Sequence, residues 1–408
     1  MRAVVVCSDP GIPVFGTKGA SVHLQAVLTE LVRRGDDVHV VSPRPGGPAP
    51  DCLRAVTVHR LPAVSGTLGA AREAAARASD TAVAGVLDRL HRQRAGVDLV
   101  LERYSLWGGT GVAWAARHGV RSVLEVNAPL VREQADHREL HDVAGATAAA
   151  RRSLGSAGAV VCVSDGVARW AREELRTCDG DPARVHVVAN GVDTARVTPA
   201  RRPGGVRPLT VGFVGSLKPW HGTEHLVDAV ALLRRRDPRW RLLVVGDGPQ
   251  RQALVDRAGA RGVADALELT GALSPVAVAA QLHRMDVGCA PYETAADFYF
   301  SPLKVYEYLA AGLPVVAADV PGMAGLLRAG AAGDRSLGRL HRPGDAADLA
   351  DALAALAADP LARRLAGARG RRAAVTRHTW RAVVARVLAL ADHAPQPLPA
   401  RVAVGAVV

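Results

Sequence analysis

FYFSPLKVYEYLAAGLPVV, residues 298–316, reads as a loop, a helix, a turn and a buried strand. Ser301 is expected to cap the helix. Pro302 then takes its first position, where the missing N–H and fixed φ of proline cost nothing. Tyr306, Leu309 and Ala310 recur at helical spacing, and Gly312 followed by Pro314 ends the helix before an apolar strand at Val315–Ala317. Lys304 breaks the pattern. A capping box would carry Glu or Gln there, and a cation in the first turn opposes the positive end of the helix dipole. A phosphate or other anion seated on that helix terminus resolves the conflict. The alternative is a solvated lysine without a role.

Working outward, the same alternation recurs along the chain. Before residue 200, strands are expected at Ala3–Cys7, Val38–Val41, Val56–His59, Leu99–Glu102, Ser122–Val126, Val160–Val163 and His186–Val188, with helices over 20–33, 70–94 and 131–153. A second series begins at Val211–Val214 and continues through Leu242–Val245, Leu267–Leu269 and Val287–Cys289 to Val315–Ala317. Helices over 346–357, 360–375 and 379–392 close it. The expected fold is α/β, with two Rossmann-like parallel-sheet domains at residues 1–200 and 205–378 and a tail at 394–408. The Pro-, Arg- and Gly-rich run from Thr198 to Pro208 is the expected linker. Two such sheets would place a ligand cleft at the carboxyl ends of their strands.

At 408 residues, 49% hydrophobic and 22% charged, the chain can bury two sizeable cores. The apolar stretch Met1–Cys7 is interrupted by Asp9, Pro10 and Gly11, and Val402–Val408 is too short to span a bilayer, so neither a signal peptide nor a membrane helix is expected. The five cysteines are scattered without a CxxC pair. A reduced, cytoplasmic enzyme without a structural metal is the expectation. The net charge of +12 comes from arginines spread over the whole chain, aromatics are only 4%, and no nucleic-acid signature appears. A solvated basic surface fits better than a nucleic-acid partner, and peripheral contact with an acidic membrane is allowed. Only three of the 51 basic residues are lysines, Lys18, Lys218 and Lys304, and each lies in a glycine- or proline-rich turn. Lysine offers a compact point charge where arginine offers a fork, which suits phosphate; chance codon usage is the alternative.

Three loops follow strands and precede helices. Gly16-Thr17-Lys18-Gly19-Ala20-Ser21 lacks the spacing of a P-loop, although its glycines let a backbone approach a ligand closely. Gly215-Ser216-Leu217-Lys218-Pro219-Trp220-His221-Gly222 offers amides, a cation and an imidazole. Gly246-Asp247-Gly248-Pro249 is the third. Asp36-Asp37 sits on a helix-to-strand turn and reads as turn chemistry rather than a metal motif.

Taken together these stretches resemble glycosyltransferase family 4, the retaining nucleotide-sugar transferases of GT-B fold. The opening loop and helix with His23, Arg34-Gly35-Asp36-Asp37-Val38, the turn Asn190-Gly191-Val192-Asp193, GFVGSLKPWHG at 212–222, LLVVGDGP at 242–249 and LELTGALS at 267–274 stand in the family's order. EVNAPL at Glu125–Leu130 resembles a subgroup that also carries KPWHG and SPLK. The resemblance implies that Glu307, matching the second glutamate of the E-x7-E motif, holds the ribose hydroxyls. The first glutamate falls on Tyr299, a departure that touches the transferred sugar; Glu293 and Asp297 are candidate substitutes. The family's diphosphate-binding Arg and Lys fall near Ser216 and His221. Lys218 and Lys304 would supply that charge, helped by the amides of Gly19, Leu303 and Lys304. Gly16, Lys18, Gly215, Gly246, Ser301 and Pro302 complete the expected donor site. Asn127 and His23 are the candidate polar groups beside the reacting centre, with a structural hydrogen-bonding role the alternative for each.

The resemblance further implies transfer of a glycosyl group from a UDP- or GDP-sugar, with retention, without metal or cofactor, to a glycan, lipid-linked or small-metabolite acceptor. The first domain would present that acceptor, with loops 8–19, 60–70 and 104–111 shaping its pocket. The helix near 379–393 resembles the family's return to the first domain. Alternatives are a GT-B sugar-nucleotide epimerase or phosphorylase and a non-catalytic nucleotide-sugar or carbohydrate binding module, the latter kept open by Tyr299. A Rossmann oxidoreductase is disfavoured, because no GxGxxG follows a strand with an acidic residue about twenty positions on.

Overall fold

The computed structural model describes all residues except 65–68, 138–139, 201–208, 294–298, 300, 329–335 and 394–408. The chain forms two compact units. The first contains β1 (Arg2–Val6), α1 (Gly19–Arg33), β2 (Asp37–Ser42), β3 (Thr57–Arg60), α2 (Ala70–His91), β4 (Leu99–Arg103) and α3 (Thr110–His118). It continues through β5 (Arg121–Val126), α4 (Leu130–His137), α5 (Val143–Ser156), β6 (Ala159–Cys162), α6 (Asp165–Arg176) and β7 (Val185–Val187). All seven strands run parallel in the order β3-β2-β1-β4-β5-β6-β7.

The second unit contains β8 (Thr210–Val214), α7 (Thr223–Arg234), β9 (Arg241–Val245), α8 (Arg251–Ala260), β10 (Leu267–Leu269), α9 (Pro275–Leu282) and β11 (Val287–Ala290). There follow α10 (Leu303–Ala310), β12 (Val315–Ala318), α11 (Met323–Arg328), β13 (Gly338–His341), α12 (Ala346–Ala358), α13 (Pro360–Arg377) and the first residues of α14 (Trp380–His393), which passes to the first unit at Val383. Its six parallel strands are ordered β10-β9-β8-β11-β12-β13. Both sheets are therefore doubly wound, and their order reverses beside β1 and β8.

Helices on both faces explain the continuous apolar strands. Val4 and Val6 pack with Val100 and Trp114 on one face of the first sheet, and Leu124, Val160 and Leu154 continue that face towards β6. In the second unit Phe213, Val244, Val316, Leu226 and Leu353 share one core. Beyond the Gly212–Gly288 pair the β8–β11 ladder ends, and a side chain takes over. The Tyr308 hydroxyl of α10 accepts the Val214 amide at 2.8 Å and donates to the Cys289 carbonyl at 3.1 Å. Gly288 leaves the space for its ring: a Cβ there would meet the ring at 2.3 Å.

Several sequence expectations change. The single helix over 131–153 is two, because Asp142 accepts the Gly145 amide and caps α5, while Glu73 of α2 accepts the His141 and Asp142 amides. These bonds hold the chain in a turn that alanine-rich composition did not signal. The strand β13 and helix α11 were not foreseen; Gly338 and Arg339 give β13 little apolar character. The first unit ends at Ala189, so Asn190–Ala200 belongs to the second, where Arg371 donates to the Thr194 and Val197 carbonyls and Val192 bridges Thr379. The rest of the expected linker, 201–208, and the tail lie outside the described residues. Tyr299–Ser301 and α14 from Val383 belong to the first unit. No described helix is long and apolar enough to cross a membrane.

Candidate functional site

The polar groups gather where each sheet reverses its order, at the carboxyl ends of the strands, the usual ligand position in such sheets. In the second unit the centre is Lys304. Helix α10 starts at Leu303, one residue later than expected, with Pro302 at its cap in a non-helical ψ of 67°. Ser301 therefore does not cap it, and its Oγ is buried without a partner among the described residues. No side chain caps this helix. Lys304 is only 7% exposed, and its Nζ has no hydrogen-bond acceptor among the described residues. It lies 4.3 Å from the Phe213 ring centroid and 4.8 Å from that of Tyr292. These faces attract a cation but replace little of its hydration. Burial accordingly brings the ammonium down to about 7.

Gly215 makes this arrangement possible. Its φ is +146°, and a Cβ on it would lie 3.2 Å from Cε and 3.4 Å from Nζ of Lys304. Gly246 shares that φ, and a Cβ there would strike the Gly215 carbonyl oxygen at 1.9 Å. The loop after β8 curls beside this point. His221 bonds through Nδ1 to the Ser216 carbonyl, and its ring lies 5.6 Å from Phe213 and 5.8 Å from Tyr292. Burial, then the positive charges of Lys304 and Lys218, bring His221 down to about 3 against the opposing Ser216 carbonyl, so the imidazole is neutral at pH 7. The Lys218 ammonium stands 5.8 Å from the Trp220 ring centroid.

One turn after Lys304, Glu307 sits 3.6 Å from the Arg196 guanidinium. Burial pushes its carboxyl up, while Arg196 and Lys304 draw it back. Arg196, which also donates to the Pro275 carbonyl, was not anticipated, although it stands three residues after the NGVD turn. Lys304, Glu307, Gly215, Ser216, His221 and Lys218 thus gather in one unit. Asp297 lies outside the described residues. Glu293 forms, with Glu224 and His225, the one cluster of three potential metal ligands among the described residues, its ligand atoms within 4.8 Å. Burial and a bond shared with Glu224 push the Glu293 carboxyl up.

The first unit carries a second polar group. Glu125, at the end of β5, meets His23 Nε2 at 2.7 Å, Asn127 Nδ2 at 3.2 Å and Arg103 at 3.3 Å. Burial alone would raise its carboxyl, but His23, Arg103 and Asn127 bring it down to about 2. Sequence reading singled out His23 and Asn127 and missed the glutamate that joins them, although Glu125 opens the EVNAPL motif; nothing pointed to Arg103. Lys18 caps α1 without a side-chain bond, and Lys18 and Gly19 are exposed. Gly16 packs so closely that a Cβ would meet Pro13 at 2.6 Å. Tyr299 packs with the first unit's core, and its hydroxyl donates to Glu133 at 3.3 Å while Ser164 bonds to its carbonyl.

Residues 208–359 match the family described as Glycosyl transferases group 1, and residues 17–196 match Glycosyltransferase Family 4. The chain belongs to glycosyltransferase family 4. Among this family 4 chain's relatives, the MMP alpha-(1->4)-mannosyltransferase of Mycolicibacterium hassiacum is 33% identical over 218 residues, covering 52% of this chain and 49% of the relative. The phosphatidyl-myo-inositol mannosyltransferase of Mycobacterium leprae is 32% identical over 231 residues, covering 56% and 57%. The chain thus spans about half the length of these two relatives. In fold, HepE of Anabaena in complex with UDP and glucose superposes with a TM-score of 0.67 at 16% identity, over 95% of this chain and 98% of HepE.

Proposed function

We propose that the protein transfers a glycosyl group from a nucleoside diphosphate sugar to a hydroxyl or other nucleophile, with retention at the anomeric carbon. The observation that carries this reading is the buried Lys304 ammonium, uncompensated by any described carboxylate bond, in the first turn of an uncapped helix. The donor diphosphate sits on the α10 terminus, where the Leu303 and Lys304 amides and the ammonium face it. Lys218 adds a second charge, and Glu307 accepts the ribose hydroxyls.

As the bond between the anomeric carbon and the phosphate oxygen breaks, its electron pair passes to that oxygen. Positive groups already in place stabilise the growing charge without reorganisation. The acceptor attacks from the same face and gives its proton to the leaving phosphate oxygen. No protein carboxylate is required as a base, and two lysines supply the charge in place of a metal. On the first unit, the Glu125-centred group of His23, Arg103 and Asn127 orients the acceptor. A UDP donor is supported by the nucleotide in HepE, and a mannosyl donor by the names of the two relatives; UDP- and GDP-sugars are therefore both tested. The acceptor is a glycan, a lipid-linked sugar or a small metabolite.

Incubation with UDP- and GDP-sugars and an acceptor panel should release nucleotide and form an axial or equatorial bond matching the donor, read by proton NMR. Lys304→Ala should lower turnover by on the order of 100-fold or more. Unchanged turnover removes Lys304 from the site. Binding without transfer across the panel makes the protein a binding module, and interconversion of the donor sugar alone makes it an epimerase.

A further inference from the structure

Helix α13 is built inside out. Its inward positions Ala366, Gly367, Gly370 and Ala374 are all small and buried. A Cβ on Gly367 would strike the Gly312 carbonyl oxygen at 2.1 Å, so this face admits nothing larger. The large apolar residues lie outside: Leu361, Leu365 and Val375 are 59%, 48% and 44% exposed. At ~100° per residue they fall with Ala368, Arg364 and Arg372 in one stripe of roughly 100°. Single exposed apolar residues are ordinary, but large ones aligned along a helix whose packing does not need them are not.

The charges divide in the same way. Inward-leaning arginines are used internally, Arg363 on the Leu356 and Ala357 carbonyls and Arg371 on those of Thr194, Val197 and Ala310. Arg364 and Arg372 are exposed, and no described carboxylate pairs with them. The helix contains no acidic residue, and Asp359 at its cap is committed to the Leu361 and Ala362 amides.

We propose that the outer face of α13 docks on an anionic lipid surface, with the leucines and Val375 between head groups and Arg364 and Arg372 on their phosphates. Two exposed arginines among aliphatic side chains, on a helix with no acid, are attracted to anionic head groups. A protein partner fits less well. The stripe is ~21 Å long and about 10 Å wide, some 210 Å² at most, against roughly 800 Å² per partner for a stable complex. Three aliphatic side chains make the docking weak, reversible and dependent on lipid charge. This inference is independent of the proposed donor chemistry.

The test is co-sedimentation of the full chain with phosphatidylglycerol/phosphatidylcholine vesicles, and with pure phosphatidylcholine vesicles, at low and high salt. Wild type should bind the anionic vesicles, and high salt should release it. Arg364→Ala/Arg372→Ala should weaken binding by about thirtyfold, roughly fivefold per arginine. Leu361→Ser/Leu365→Ser should weaken it by at least tenfold with an unchanged thermal melt. No binding, equal binding to neutral vesicles, or undiminished binding by either variant overturns the proposal. So does concentration-dependent self-association that the leucine variant loses, which would assign the face to a second copy.

Discussion

Lys304 should make donor binding take up a proton. The free ammonium titrates at about 7, so at pH 8 only about one molecule in ten carries the charge. A diphosphate within contact distance should raise that value by several units and leave the bound lysine fully protonated. Binding at pH 8 should then consume about 0.9 proton, against about 0.1 at pH 6, and affinity should fall about tenfold per pH unit above 8. A nucleoside diphosphate sugar is the right probe, because its diester diphosphate has no proton of its own to exchange in this range. His221 does not interfere, since it is neutral at pH 8 in the free protein. Titration calorimetry of UDP-glucose and GDP-mannose in phosphate and in Tris at pH 8 reads the uptake directly. The same titration of Lys304→Met should show none. Uptake below about 0.2 in wild type, or equal uptake in the variant, would refute the placement of the diphosphate.

The same lysine links stability to pH. Its folded value of about 7 lies below the 10.5 of a free lysine, so between these values the unfolded chain binds the extra proton and its contribution to stability rises with pH. At pH 7 Lys304→Met should be more stable than wild type by on the order of 4 kcal/mol in urea unfolding, and the gap should close towards pH 10. Glu307→Ala should weaken nucleotide binding at least tenfold in calorimetry while sparing the fold; intact affinity would remove it from the ribose. Glu125→Gln should lower kcat/KM for the acceptor by about 10- to 100-fold with donor Kd unchanged, since it removes the charge that organises His23 and Arg103. Tyr308→Phe, which strands the buried Val214 amide and Cys289 carbonyl, should cost about 2–3 kcal/mol by denaturant melt.

The α/β fold was readable because buried parallel strands leave continuous apolar runs, as at Ala3–Cys7 and Val211–Val214. It failed where tertiary bonds override local character: Glu73 and Asp142 break a helix that alanine would continue, and β13 gains its place from pairing with β12. In the candidate site Lys304 was legible as a charge in the wrong turn of a helix. Its lack of a partner and its lowered pKa were not, because they depend on burial against Phe213, far away in sequence, and against Tyr292, across an intervening loop. Ser301 looked like a cap because its neighbours fit, yet the ψ of Pro302 moves the helix start past it. Glu125 escaped notice because a carboxylate at a strand end carries no periodic signal; only His23, brought from another element, gives it meaning.

Tyr308 has a consequence for transplanting specificity between relatives. Its hydroxyl stitches β8 to β11 where their own ladder stops, so the position of α10, and of Lys304 on it, is dictated by two strand ends, that of β8 distant in the chain. A chimera that exchanged residues 301–316 alone would carry the lysine onto a sheet edge spaced for another side chain. Exchange of that segment together with 211–215 and 287–290 moves helix, stitch and both strand ends as one cassette, and is the smallest graft expected to keep the lysine in register.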